Sequence, residues 1–124
     1  MACETKLSPR IEDGAIKWYK GDAFYLYIDL VDDETGNAFV IKDTDKIILE
    51  FYQNGNPLTL ATVETKYIPE DMKYECFIDE KTTSKFQEGK YTYKIIYLNN
   101  FNKTKQTIEN CGNIEVEGVC QCQA

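Results

Sequence analysis

The residues with the widest chemical reach in this chain are its five cysteines, Cys3, Cys76, Cys111, Cys120 and Cys122. Three of them crowd the C-terminal end, and Cys3 joins them if the two chain ends meet. Four thiolates suffice to hold a structural zinc ion tetrahedrally. The spacing C-x8-C-x-C differs from the paired C-x2-C knuckles of most such sites, so ordinary reduced thiols are the expectation. A zinc site on Cys3, Cys111, Cys120 and Cys122 is the alternative. Disulfides are disfavoured by the reducing compartment inferred below. Cys76 alternates with apolar strand residues and reads as a buried core thiol.

Carboxylates are the next candidates. Asp32, Asp33, Glu34, Asn37, Asp43 and Asp45 offer oxygen atoms to a calcium ion, but without EF-hand spacing, and acidic turns of this kind are ordinarily solvated. Glu115 and Glu117 lie two apart on one strand and so share a face, where solvation again explains them better than a catalytic pair. The chain has no histidine. That removes the commonest general base and metal ligand, and with them every Ser–His–Asp or Cys–His arrangement. A non-enzymatic protein without a cofactor is expected.

Charge narrows the partners. Fourteen basic residues stand against twenty-one acidic ones, a formal net charge of −7, and Arg10 is the single arginine. Nucleic-acid binding relies on clustered Lys and Arg and on bidentate arginine contacts to bases, so it is not expected. No apolar run approaches the ~18 residues that a membrane-spanning helix needs. The opening MACETKLSPRIEDG lacks the basic-then-apolar layout of a signal peptide, which points to synthesis in a reducing cytoplasm. The triplet Asn102-Lys103-Thr104 then reads as a turn rather than a glycosylation site.

The elements that position these groups are almost all strands. The length, 124 residues, suits one domain. Residues 1–14 read as a polar N-terminal arm, 15–118 as the folded body, and 119–124 as a Cys-containing tail. Within Ala23–Val31, Phe24, Leu26, Ile28 and Leu30 fall on one face at period two, against Tyr25, Tyr27 and Asp29 on the other. Lys46–Gln53 places Ile47, Leu49 and Phe51 together and ends on Asn54-Gly55, a strong hairpin signal. Leu58–Lys66 returns, and Lys73–Asp79 sets Tyr74, Cys76 and Ile78 against Glu75 and Phe77. Glu80–Phe86 reads as one helical turn with Phe86 directed inward. Lys90–Leu98 carries Tyr91, Tyr93, Ile95 and Tyr97 on a face, and Lys103–Glu109 and Asn113–Glu117 close the body. About seven or eight short strands, with turn signals roughly every 10 residues, predict an all-β antiparallel sandwich.

Two local patterns add detail. Glu88-Gly89-Lys90-Tyr91 has the form of an immunoglobulin-type tyrosine corner, in which the Tyr91 hydroxyl bonds back to upstream backbone after the turn at Gly89. Tyr25 and Tyr27 lie opposite a good apolar face and so point outward or into a partner; with Trp18 and Tyr52 they are the interface candidates. The same rings suit stacking on sugars, so a carbohydrate-binding or adhesion domain of immunoglobulin-like fold is the alternative reading.

The run Lys20-Gly21-Asp22-Ala23-Phe24 leads into the strand Leu26–Asp33. It is followed by the turn Gly36-Asn37, the strand Lys46–Tyr52, the Asn54-Gly55 hairpin, and Gly89-Lys90-Tyr91-Thr92-Tyr93. Taken together, residues 15–118 resemble the N-terminal immunoglobulin-like domain of phage baseplate upper proteins and related phage tail proteins. The resemblance implies an immunoglobulin-like sandwich and a structural role in a tail or baseplate. It also implies other virion proteins as partners, homo-oligomers within a symmetric assembly, and location in the virion after synthesis in the host bacterial cytoplasm.

Overall fold

Alternation of apolar and polar side chains decides which face each strand buries, and two stacked sheets result in the computed structural model, which describes residues 7–118. The described residues form the strands β1 (Arg10–Glu12), β2 (Ala15–Tyr19), β3 (Phe24–Ile28), β4 (Lys46–Gln53), β5 (Thr59–Glu64), β6 (Lys66–Ile68), β7 (Lys73–Ile78), β8 (Gly89–Asn99) and β9 (Thr104–Glu117). One helical turn, α1 (Glu80–Thr83), lies between β7 and β8. A six-stranded sheet has the order β1-β2-β9-β8-β4-β5, and a three-stranded sheet the order β3-β7-β6. β2 runs parallel to β9, from Ala15 opposite Asn113 to Tyr19 opposite Glu117, while the other ladders are antiparallel. The two sheets pack face to face as an all-β sandwich.

Several boundaries differ from the sequence reading. Residues 10–12, assigned to an arm, form β1 and pair with β2, Arg10 opposite Lys17 and Glu12 opposite Ala15. The stretch 58–66 is two strands, because the chain changes sheets at Thr65. The Thr65 amide and hydroxyl both donate to the Ile47 carbonyl, at 3.0 and 2.7 Å, and mark the crossing point. Asn54-Gly55 does not make a two-residue hairpin. Only Gly55 has positive φ (82°), and the ladder resumes at Thr59 opposite Tyr52. Outside the named strands, residues 38–41 contribute one bridge, Val31 to Ala38, and are otherwise held by Tyr74, whose hydroxyl donates to the Phe39 carbonyl at 2.7 Å and accepts from the Ile41 amide at 3.1 Å. The two closing strands are one, β9, whose register slips opposite Tyr93–Ile96 instead of breaking.

The core centres on Trp18, which is fully buried and therefore is not the interface residue that its type suggested. Ile16 and Trp18 alternate with Lys17, and pairing of β2 with β9 turns that phase inward. Phe24, Phe86 and Phe51 surround the indole at ring distances of 4.9, 5.4 and 6.4 Å. Burying an aromatic side chain of this size contributes about 2–3 kcal/mol, and the indole Nε1 has no hydrogen-bond acceptor among the described residues. Cys76 and Ile78 close the same cluster from β7. A second cluster of Ile47, Tyr74 and Ile95 lies toward the 30–44 loop.

The link from β7 to β8 positions the last large core side chain. Asp79 caps α1, its Oδ1 accepting from the Thr82 amide at 2.7 Å, as a carboxylate at this position satisfies an otherwise orphan N–H. The turn then delivers Phe86 into the core. After Gly89, at φ 143°, the Tyr91 hydroxyl returns to the Gln87 backbone, which is the hydrogen-bond geometry of a tyrosine corner.

Candidate interaction surface

The outer face of the three-stranded sheet carries the largest exposed aromatic group. On β3, Phe24 and Leu26 point inward, so Tyr25 and Tyr27 must point outward, and they are 47% and 55% exposed. On β7, Tyr74, Cys76 and Ile78 point inward and leave Phe77, 48% exposed, on the outside. The antiparallel register places Tyr25 opposite Phe77 and Tyr27 opposite Glu75. Tyr25 and Phe77 rings lie 4.7 Å apart, and Tyr25 and Tyr27 stack at 6.3 Å with 20° between their planes. Local desolvation, and then the Glu75 carboxylate, push the Tyr27 phenol above its usual range.

The side of β3 away from β7 is open, since among the described residues β3 pairs with β7 alone. Beside this edge runs a mostly apolar cleft of about 550 Å³ between β3 and the β1–β2 hairpin, with Ile16, Leu26, Ile28 and Ile95 in its walls. Ile11, 80% exposed, stands at its rim. The surface therefore combines three outward rings, an unpaired strand edge and an apolar recess.

The four interface candidates separate in space. Tyr25 and Tyr27 sit together on this surface. Tyr52 lies on the outer face of the other sheet, where its hydroxyl donates to Glu50 at 2.7 Å and Lys94 sits 4.9 Å above its ring. Trp18 is in the core. Phe77 and Ile11 complete the surface without having been singled out. Phe77 is out of phase with the three inward residues of its strand, a signal readable at period two; Ile11 carried none, because its strand was not recognised.

Several charged groups elsewhere pair with one another. Glu50, 8% exposed, accepts from Tyr52 and from Lys105 at 3.0 Å. Burial works against its ionisation, but these two donors outweigh it and hold the carboxyl below its ordinary value. On the β1-β2-β9 side, Arg10 contacts Glu12 and Glu117, and Lys17 contacts Asp13, Glu115 and Glu12. Glu115 and Glu117 are thus members of a charge ladder across three strands. Asp32 Oδ1 accepts from the Glu34 and Thr35 amides at 2.8 and 3.3 Å, so this acidic turn folds on its own carboxylate. Asp45 accepts from the Tyr97 hydroxyl and the Asn100 amide, which hold it below the usual carboxylate range in that order.

Cys76 is free and buried, and burial pushes its thiol up to about 12. Cys3, Cys120 and Cys122 lie outside the described residues, as does the side chain of Cys111. Among the described residues no three Asp, Glu, Cys or His side chains gather to hold a metal ion, and no helix is long and apolar enough to cross a membrane.

The fold and surface define a β-sandwich with an open aromatic edge. No protein-family model matches the sequence, and comparison with curated proteins gives no significant match.

Proposed function

We propose that this chain is a non-enzymatic interaction module that packs against other subunits of a symmetric assembly, and that the assembly is a phage or prophage tail or baseplate. The observation that carries the interaction role is the cluster of Tyr25, Tyr27 and Phe77 on one exposed sheet face beside an unpaired strand. Tyrosine and phenylalanine are enriched at protein interfaces, because they bring large apolar area at low conformational cost. The tail setting rests on the resemblance of residues 15–118 to the immunoglobulin-like domain of phage tail proteins. A sugar site would need polar groups converging beside the rings. Here the rings lean on one another and the neighbouring recess is mostly apolar, which favours a protein partner over a glycan.

Antibody raised against the purified chain tests the setting, and a Tyr25→Ser/Phe77→Ser variant tests the surface. The antibody is expected to precipitate intact virions, and the variant to keep its fold while losing incorporation. Virions free of the chain would overturn the setting. A folded variant that is incorporated normally would overturn the assignment of the surface.

A further inference from the structure

Edge strands in natural sheets are blunted by charge, proline or bulges, because an open ladder pairs with any other open ladder. Three of the four edges in this sandwich are treated in this way. β1 carries Arg10 and Glu12 after Pro9, β5 ends on Glu64 and has a register shift against β4, and β6 opens on Lys66 and is followed by Pro69. β3 has none of these devices within its span, and the first charge after it is Asp29. Its residues are Phe24-Tyr25-Leu26-Tyr27-Ile28, without a charge, a proline or a register shift in its pairing with β7.

Deepening the interaction-module reading, on which it rests, we propose that the occupant of this edge is a second copy of the same chain, joined β3 to β3 in antiparallel register across a two-fold axis at Leu26. Antiparallel pairing of a strand with itself is closed and isologous, as two-fold contacts are. With Leu26 on the axis, Tyr25 faces the partner's Tyr27, Tyr27 faces the partner's Tyr25, and Phe24 faces the partner's Ile28. Aromatic pairs directly opposite each other are among the more stabilising cross-strand contacts. Phe77, Tyr25 and the partner's Tyr27 then form one continuous ring stripe, repeated by symmetry. The flanking acids are also accommodated: Asp22 falls opposite the partner's Leu30 and Asp29 opposite the partner's Ala23. No carboxylate meets another in this register, although the chain carries a net charge of −7. The two three-stranded sheets become one six-stranded sheet. So short a ladder buries less than the ~1,200–2,000 Å² of a standard interface, which makes the pair weak in dilute solution and additive within a larger assembly.

Sedimentation velocity on the full chain under reducing conditions, from micromolar to about millimolar concentration, tests the pairing. Wild-type protein is expected to shift from one chain toward two. Tyr25→Lys/Tyr27→Lys sets like charges opposite each other and is expected to weaken the dimer at least tenfold. Tyr25→Glu/Tyr27→Lys sets Glu opposite Lys in both symmetric positions, with the introduced lysine beside Glu75 of its own chain, and is expected to recover wild-type association to within about threefold. Both positions are exposed, and circular dichroism with thermal melting verifies that each variant is folded. A wild-type monomer at every concentration, or two double variants that associate equally, would overturn the proposal. A monomeric wild-type chain that is nevertheless incorporated into virions sinks self-pairing alone, whereas a monomer absent from virions sinks the wider reading with it.

Discussion

The Tyr91 hydroxyl donates to the carbonyl of Gln87 and accepts from its amide, each at 2.8 Å, so one side chain satisfies both backbone groups of the residue four positions upstream. The same ring lies 4.9 Å from Phe86, and the corner thereby fixes both the entry to β8 and the last aromatic wall of the core. Removing the oxygen alone leaves two partly buried backbone groups without a partner. Tyr91→Phe is therefore expected to destabilise the domain by about 1–3 kcal/mol, read as a lower denaturation midpoint at unchanged slope. A variant with wild-type stability would show that the corner contributes nothing.

Asp45 links the start of β4 to the end of β8 through Tyr97 and Asn100, and those donors lower its pKa below the ordinary 3.8. A carboxylate whose folded value lies below its unfolded one contributes stability that is complete above the unfolded value and is lost as pH falls through the folded one. Glu50 and Asp79 are shifted in the same direction and add to the effect. Stability is thus expected to fall below about pH 4, and Asp45→Asn to show a shallower acid limb than wild type. Tyr97 is raised, first by its hydrogen bond to Asp45. Its contribution is present below the ordinary tyrosine value and lost as pH rises through the folded one. Urea midpoints measured from acid to alkaline pH read both limbs.

Gly112 on β9 faces Tyr93 on β8, and a Cβ at position 112 would overlap the Tyr93 ring. The ring occupies the space that the missing side chain leaves. Gly112→Ala is expected to cost about 1–3 kcal/mol through overpacking, and Tyr93→Leu to recover part of that loss in the double variant. Additive losses would show that the two positions are independent.

Cys76 is held by burial as a neutral thiol, with its pKa pushed up to about 12. Thiolate is the reactive form, so native Cys76 is expected to resist alkylation at neutral pH and to react once the chain is unfolded. Peptide mapping after iodoacetamide treatment distinguishes it from the other four cysteines. Rapid native labelling of Cys76 would contradict its place in the core.

Much of this architecture is legible in the sequence because a strand has only two faces. Phe24 and Leu26 against Tyr25 and Tyr27, or Tyr74, Cys76 and Ile78 against Glu75 and Phe77, assign inside and outside without any knowledge of neighbours. The corner is equally local, since Gly89 and Tyr91 lie within five residues of the Gln87 backbone that the tyrosine meets.

A few consecutive residues set the phase of the longer strands and the geometry of the Tyr91 corner, but not the existence of β1 or the turn at Asn54-Gly55. Tertiary structure alone decided which strands share a sheet and which edges remain open. Trp18 has an inward phase, but it becomes a core residue only because β9, almost a hundred residues later, pairs alongside β2. The division of residues 58–68 into two strands depends on Thr65 meeting the Ile47 carbonyl, a contact between different parts of the chain. Tyr25 and Tyr27 are outward by phase, yet they border an open edge because β3 pairs with β7 alone, while β1 and β2 belong to the other sheet. Periodicity is a property of a few consecutive residues; strand order follows from contacts between distant ones, whose closure entropy and packing belong to the folded whole.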